Sequence, residues 1–217
     1  MFLKTEKILL PVVWLIIAGI GLWGHLTLPD VPIAVHFGMQ GPDGIMPRDP
    51  GLMLMPGLAL VLMLLFLWIV PAVMPKPVSP ERPGIAYGAT LLATFVLLAT
   101  VQAVLVLMAS GMALDPVRIV TIGVGLLLVV VGNYLPKTRH NYIMGIRTPW
   151  ALADERVWDR TQRFAGPLFM LGGLATIVGA FFGPPQSHIG VLVVAALIPG
   201  VASYVYSYLV ARRLNLT

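Results

Sequence analysis

Residues 85 to 109 read IAYGATLLATFVLLATVQAVLVLMA, a run without a single charge, and that run decides the fold. At about 1.5 Å per residue a helix of this length spans the ~30 Å hydrocarbon core of a bilayer with room to tilt. It is too long and too unalternating for a barrel strand, and lipid offers no partner for free backbone groups, so it reads as a membrane helix. Further apolar windows lie at 8 to 26, 52 to 74, 116 to 135, 166 to 183 and 189 to 210. The chain as a whole is 58% hydrophobic and 11% charged, with mean hydropathy +0.91, outside the range of soluble domains. The expected fold class is all-α integral membrane, with six transmembrane helices.

The first window follows Lys4 and Lys7, as a signal peptide would, but its apolar run exceeds the usual ~7 to 15 residues and no small-x-small site follows. An uncleaved span is expected. With the N-terminus in the cytoplasm, Lys4, Lys7, Lys76, Arg82, Lys137, Arg139, Arg147, Arg156, Arg160, Arg163, Arg212 and Arg213 fall inside and only Arg48 and Arg118 outside. This bias predicts cytoplasmic N- and C-termini. The net charge of +5 then follows from topology and anionic lipid, so no direct nucleic-acid partner is invoked. The absence of cysteine removes disulfides and thiolate metal sites.

Two units are expected: a two-span unit over 1–80 with an extracytoplasmic loop at 27–51, and a four-span unit over 81–217 with a cytoplasmic loop at 136–165. The connections 75–84, 110–115 and 184–188 are short links between antiparallel neighbours. Small-residue spacings at Gly84 and Gly88, Ala175 and Gly179, and Gly179 and Gly183 suggest helix contacts. Pro199 is expected to kink the last span, whereas Pro56 and Pro167 are placed in first turns. No Asp, Glu, Lys, Arg or His sits mid-span, which disfavours charge-coupled transport. Gln102, the one strongly polar residue at depth, suits an interhelical hydrogen bond; lining a path for a neutral or lipidic solute, with the Pro199 kink, is the alternative.

In the cytoplasmic loop, Thr148-Pro149 is a helix-start pair. Beyond it Trp150, Ala151, Val157, Trp158, Thr161, Phe164 and Ala165 share one helical face, with Glu155, Arg156, Asp159, Arg160 and Arg163 on another. The pattern predicts an interfacial amphipathic helix before the fifth span, its tryptophans at headgroup level and its arginines toward phosphate. Asp159 and Arg163 are spaced for an ion pair. The preceding turn holds Asn141, Gly145 and Arg147, a guanidinium suited to carboxylate, phosphate or carbonyl oxygens. Loop bracing or lipid anchoring and a dedicated binding site both remain open. No nucleophile motif or phosphate loop is present, and the acids lack a suitably spaced histidine, so no enzyme, catalytic residue, cofactor or metal site is expected. His36 with Asp30 and Asp43 suits a hydrogen-bonded loop better than a metal trio.

The stretch GNYLPKTRHNYIMGIRTPWALADERVWDRTQRFAG, 132 to 166, resembles the signature region of the SdpI family of bacterial membrane proteins, with Asn133, Asn141 and Gly-Ile-Arg-Thr-Pro-Trp followed by a tryptophan helix. The outer loop LPDVPIAVHFGMQGPDG resembles the short N-terminal domain that often precedes that region. Members usually have histidine where this chain has Gln162, so a role for that histidine is not carried over. The resemblance implies a toxin-immunity and signalling protein of the bacterial cytoplasmic membrane. A secreted membrane-active peptide toxin would be met outside at Pro32, His36, Phe37, Gly41 and Asp43. A small cytosolic repressor would be recruited inside by Asn133, Asn141, Gly145, Arg147, Thr148, Pro149, Trp150, Trp158, Thr161 and Gln162, with Arg147 and Trp150 foremost.

Overall fold

A computed structural model of the chain describes residues 4–38, 41–70 and 84–216. Helix α1 runs Lys4–Thr27, followed by strands β1 (Ile33–Gly38) and β2 (Gly41–Met46). Helix α2 (Arg48–Leu64) continues through a π-helical turn at Leu65–Ile69. Then come α3 (Gly84–Ala109), α4 (Pro116–Tyr134), the short α5 (Pro149–Ala153), α6 (Glu155–Phe182) and α7 (His188–Arg213). Six of these helices, all but α5, are long and apolar enough to cross a membrane. The link at 75–84, its residues Lys76 and Arg82, and the unit boundary at residue 80 lie largely or wholly outside the described residues; only Gly84 of the link is described.

The segment expected as the outer loop contains a hairpin. β1 and β2 pair antiparallel, Ile33 opposite Met46 and Gly38 opposite Gly41, with register shifts around His36. Ile33 is buried at the foot of the hairpin against Leu28, Leu52 and Val106, so alternate strand residues attach the hairpin to the helix ends.

Two of the prolines placed in first turns lie inside helices. α2 begins at Arg48 and α6 at Glu155, so Pro56 and Pro167 are interior. A proline lacks the N–H that would bond the carbonyl four residues earlier. For Pro56 that carbonyl belongs to Leu52, and the amide of Gln102 on α3 donates to it at 3.1 Å. Gln102 is fully buried, and an unbonded carbonyl in hydrocarbon costs several kcal/mol. The polar residue at depth therefore repairs a proline defect on the neighbouring helix. Trp14 of α1 also reaches α2, its indole N–H donating to the Pro56 carbonyl at 3.1 Å.

A close backbone contact between helices falls on glycines that the spacing did not pick out. A Cβ on Gly132 would lie 2.6 Å from the Gly166 carbonyl oxygen, and one on Gly173 would lie 2.5 Å from that of Gly125. Gly125 and Gly132 on α4 thus face Gly173 and Gly166 on α6, seven residues apart on each helix, and let two antiparallel backbones touch. Gly179 meets only the Val191 side chain, at 3.2 Å. Pro199, interior to α7 as expected, frees the Ala195 carbonyl, which packs where a Gly172 Cβ would come within 2.4 Å.

Candidate functional site

The glycine contact fixes α4 against α6, and the segment 135–154 crosses the end of that pair. It starts in a 3-10 turn, Leu135–Lys137, where the Pro136 ring packs on Gly166 so closely that a Cβ there would overlap it. Thr138 follows, buried, and its carbonyl accepts the Trp158 indole N–H at 3.0 Å. A His140 ring nitrogen donates to the Leu152 carbonyl at 3.0 Å, and its ring meets Trp158 edge-on, 5.4 Å between centroids.

Asn141 ties the next turn to itself. Its Oδ1 accepts the N–H groups of Ile143 at 2.7 Å and Met144 at 2.8 Å. Its Nδ2 donates to the carbonyls of Arg139 at 2.6 Å and Met144 at 3.3 Å. The side chain's bonding capacity is thereby filled. Ile143 and Met144 are pushed toward the cluster of Leu10, Tyr87, Leu91 and Phe95, which joins the loop to the N-terminal helices. Gly145 has φ +126°, and a Cβ there would lie 2.9 Å from the Trp158 ring; conformation and space both demand glycine.

Gln162 then grips the backbone of Ile146 at two points. Its Oε1 accepts the Ile146 N–H and its Nε2 donates to the Ile146 carbonyl, each at 3.0 Å. Thr148 caps α5, accepting the Ala151 N–H at 3.1 Å, and hydrogen bonds Ser207 of α7. Thr161 bonds back to the Val157 carbonyl at 2.7 Å.

Of the residues expected to meet a partner on this side, Asn141, Thr148, Trp158, Thr161 and Gln162 are therefore buried. They build the loop and present nothing to solvent. Exposed are Asn133, Arg147 and Pro149, with Gly145 and Trp150 half-buried. Arg147 donates to the Tyr142 carbonyl at 3.0 Å, one bond out of a guanidinium's five donors. Trp150 lies between Tyr204 and Tyr208, 5.5 and 5.2 Å between centroids. Lys137 donates to Asn133 Oδ1 at 3.3 Å.

The expected amphipathic helix is divided. Asp154 breaks it and caps α6, accepting the Arg156 N–H at 2.8 Å, so residues 155–165 are continuous with the fifth span. The Trp158 ring, placed at headgroup level from the sequence, is wholly buried with Val157, Ala151, Val210 and Ala211. Asp159 and Arg163 form no ion pair; Asp154 pairs with Arg156 at 2.8 Å instead. The Arg156 guanidinium bonded to Asp154 holds its carboxyl down at about 2, helped by the Arg156 and Val157 backbone N–H groups and by the Arg156 charge. Sequence reasoning did not include Ser207, Thr138 or the tyrosines of α7 in the site. Ser203 and Ser207, four apart in an apolar helix, were the available signal.

At the other end of the bundle the hairpin holds its predicted residues in looser company. His36 hydrogen bonds Asp43 across the strands, Gly41 has φ +114°, Pro32 is exposed and Phe37 half-buried. Asp30 lies 3.8 Å from Arg48, so the trio of His36, Asp30 and Asp43 is not assembled. His25 bonds Asp49 at 2.9 Å.

The fold and this loop define a multi-pass helical membrane protein with a built, polar-cored turn at one end. Residues 137–207 match the model of the SdpI/YfhL protein family. Over 120 residues, 55% of this chain, it is 32% identical to the immunity protein SdpI of Bacillus subtilis (strain 168). The aligned region spans 58% of that protein's length. No solved structure matches the chain.

Proposed function

We propose that this protein is an immunity factor of the bacterial cytoplasmic membrane, protecting its cell from a secreted membrane-active peptide and recruiting a small cytosolic repressor. In this reading both termini and the loop 135–154 face the cytoplasm and the hairpin faces outward, as the distribution of lysine and arginine favours. α5 and the first turns of α6 lie at headgroup level, with Arg156, Arg160 and Arg163 toward lipid phosphate. The protein carries out no catalysis.

The observation that carries the proposal is the family match falling on a loop whose buried polar groups are spent on holding one shape. Such a loop is a rigid platform, and its exposed residues Arg147, Pro149, Trp150 and Asn133 are what it offers a partner. Gln102, by contrast, is engaged by the Leu52 carbonyl, which weakens a solute path through it.

Cells that lack their own protection, given this chain and challenged with a secreted membrane-active peptide toxin, should keep their membrane potential as read by a voltage-sensitive dye. Depolarisation equal to that of cells without the protein would overturn the immunity reading. A fluorescent repressor fusion that stays cytosolic under toxin would overturn the recruitment half alone.

A further inference from the structure

Under the hairpin lie two hollows that share Phe37, Pro116, Val117 and Ile189 and so form one groove. The inner hollow, about 290 Å³, is floored by Val104, Leu105, Val120 and Leu192 from α3, α4 and α7. The outer one, about 370 Å³, runs past Gly38, Pro42 and Asp115 to the surface. Each is near the lower end of the ~300–1,000 Å³ typical of ligand clefts.

The charge around the mouth has one sign in excess. Among the described residues, the hairpin end carries Asp30, Asp43, Asp49 and Asp115 against Arg48 and Arg118. Arg48 is bound to Asp49 at 2.8 Å and faces Asp30, so it does not offset the carboxylates at the groove. Asp43 and Asp115 remain about half exposed. Asp43 pairs with a histidine, and Asp115 stands 3.7 Å from Arg118. An apolar floor with an acidic rim repels a lipid phosphate and attracts an ammonium or guanidinium.

We infer that this groove binds an apolar peptide segment bearing lysine or arginine at its outward end, the apolar side chains under Phe37 and the cation at Asp43 and Asp115. The peptide's being a secreted toxin rests on the immunity reading; the groove and its charge do not. Rim charges act chiefly on encounter rate and the apolar contacts on residence.

The test uses the full chain in phosphatidylcholine nanodiscs and a synthetic twenty-residue leucine- and alanine-rich peptide, with two lysines at one end and a central photoreactive leucine. Crosslinks mapped by mass spectrometry should fall on residues 101–120 and 189–192. Val120→Trp, which fills the inner hollow, should lower their yield at least tenfold, and Leu192→Trp should do so from the opposite wall. Asp43→Asn with Asp115→Asn should lower it several-fold at low salt; asparagine keeps the helix cap. Should either filled variant fail to fold, the wild-type crosslink map still decides.

Crosslinks outside the groove, an unchanged yield in the filled variants, or equal yield from a peptide with glutamines for lysines would overturn the inference. So would a photoreactive phospholipid that labels the groove undiminished by saturating peptide. Full protection of cells by Val120→Trp would remove the groove and leave immunity standing. Groove crosslinks without any protection by the wild type would do the reverse.

Discussion

The loop at 135–154 and the hairpin at 33–46 are both polar caps on apolar helices, and they are built on opposite terms. In the loop, Asn141, Thr148 and Gln162 are buried and bonded. In the hairpin, His36 and Asp43 are exposed, their one bond open to water. A buried polar group left without a partner costs about 1–3 kcal/mol, whereas a solvated one costs little. The loop is consequently a single rigid unit, and the hairpin is attached by a few apolar residues over a hollow. Rigidity suits a platform for a partner, and hollowness suits the seating of a guest.

The largest expected effect would break that contrast at its base. Trp158→Ala removes the ring around which Gly145, His140 and α7 pack, and should cost about 3–5 kcal/mol. Thermal or denaturant unfolding in detergent would measure it. Ile45→Ala on the hairpin, 68% exposed, should change stability by less than ~0.5 kcal/mol. Equal losses would refute the difference between the two caps.

Next comes the helix contact beneath the loop. Gly132→Ala places a methyl group against the Gly166 carbonyl and the Met170 N–H, backbone atoms that yield only if α4 and α6 separate. Overpacking costs about 1–3 kcal/mol, with this site at the upper end. Gly190→Ala, which meets nothing within 4 Å, should be neutral in the same unfolding measurement.

Gln162→Ala strips both bonds from Ile146 and should cost about 2–3 kcal/mol. Amide exchange at Ile146 should be faster in this variant than in the wild type. Gln162→His keeps one donor and one acceptor on a rigid ring. Exchange intermediate between wild type and alanine is expected. Wild-type exchange rates in the alanine variant would show that the two-point grip does not hold the loop.

Much of this was legible in the sequence because it depends on composition and period. The six spans follow from uninterrupted apolar runs, and the Thr148 cap from a side chain acting within one turn, whereas the break at Asp154 was not read. Long-range pairings left no such local sign. Gly125 and Gly132 announce a contact only when set against Gly166 and Gly173. Gln102 looks like a ligand or a bundle bond until the proline opposite its amide is known. The burial of Trp158 was unreadable for the same reason: a tryptophan on an amphipathic face suits a headgroup layer as well as a neighbouring helix, and only the position of α7 decides.

The smallest effect sharpens the comparison at its edge, where the rigid loop meets solvent. Asp154 caps α6 and pairs with Arg156, and its carboxyl is held at about 2, below the ordinary carboxylate value, by the Arg156 hydrogen bond first of all. A group whose folded pKa is depressed contributes stability that is complete above its unfolded pKa and is lost as pH falls through the folded one. The window is therefore from roughly pH 4 down to about 2. Asp154→Asn keeps the cap but cannot titrate, so its unfolding midpoint should show a shallower fall across that window than the wild type. The difference should be small, because the pair is open to water. Parallel midpoints in the two proteins would mean that the cap bond alone, and not the charge on Asp154, fixes the break between α5 and α6.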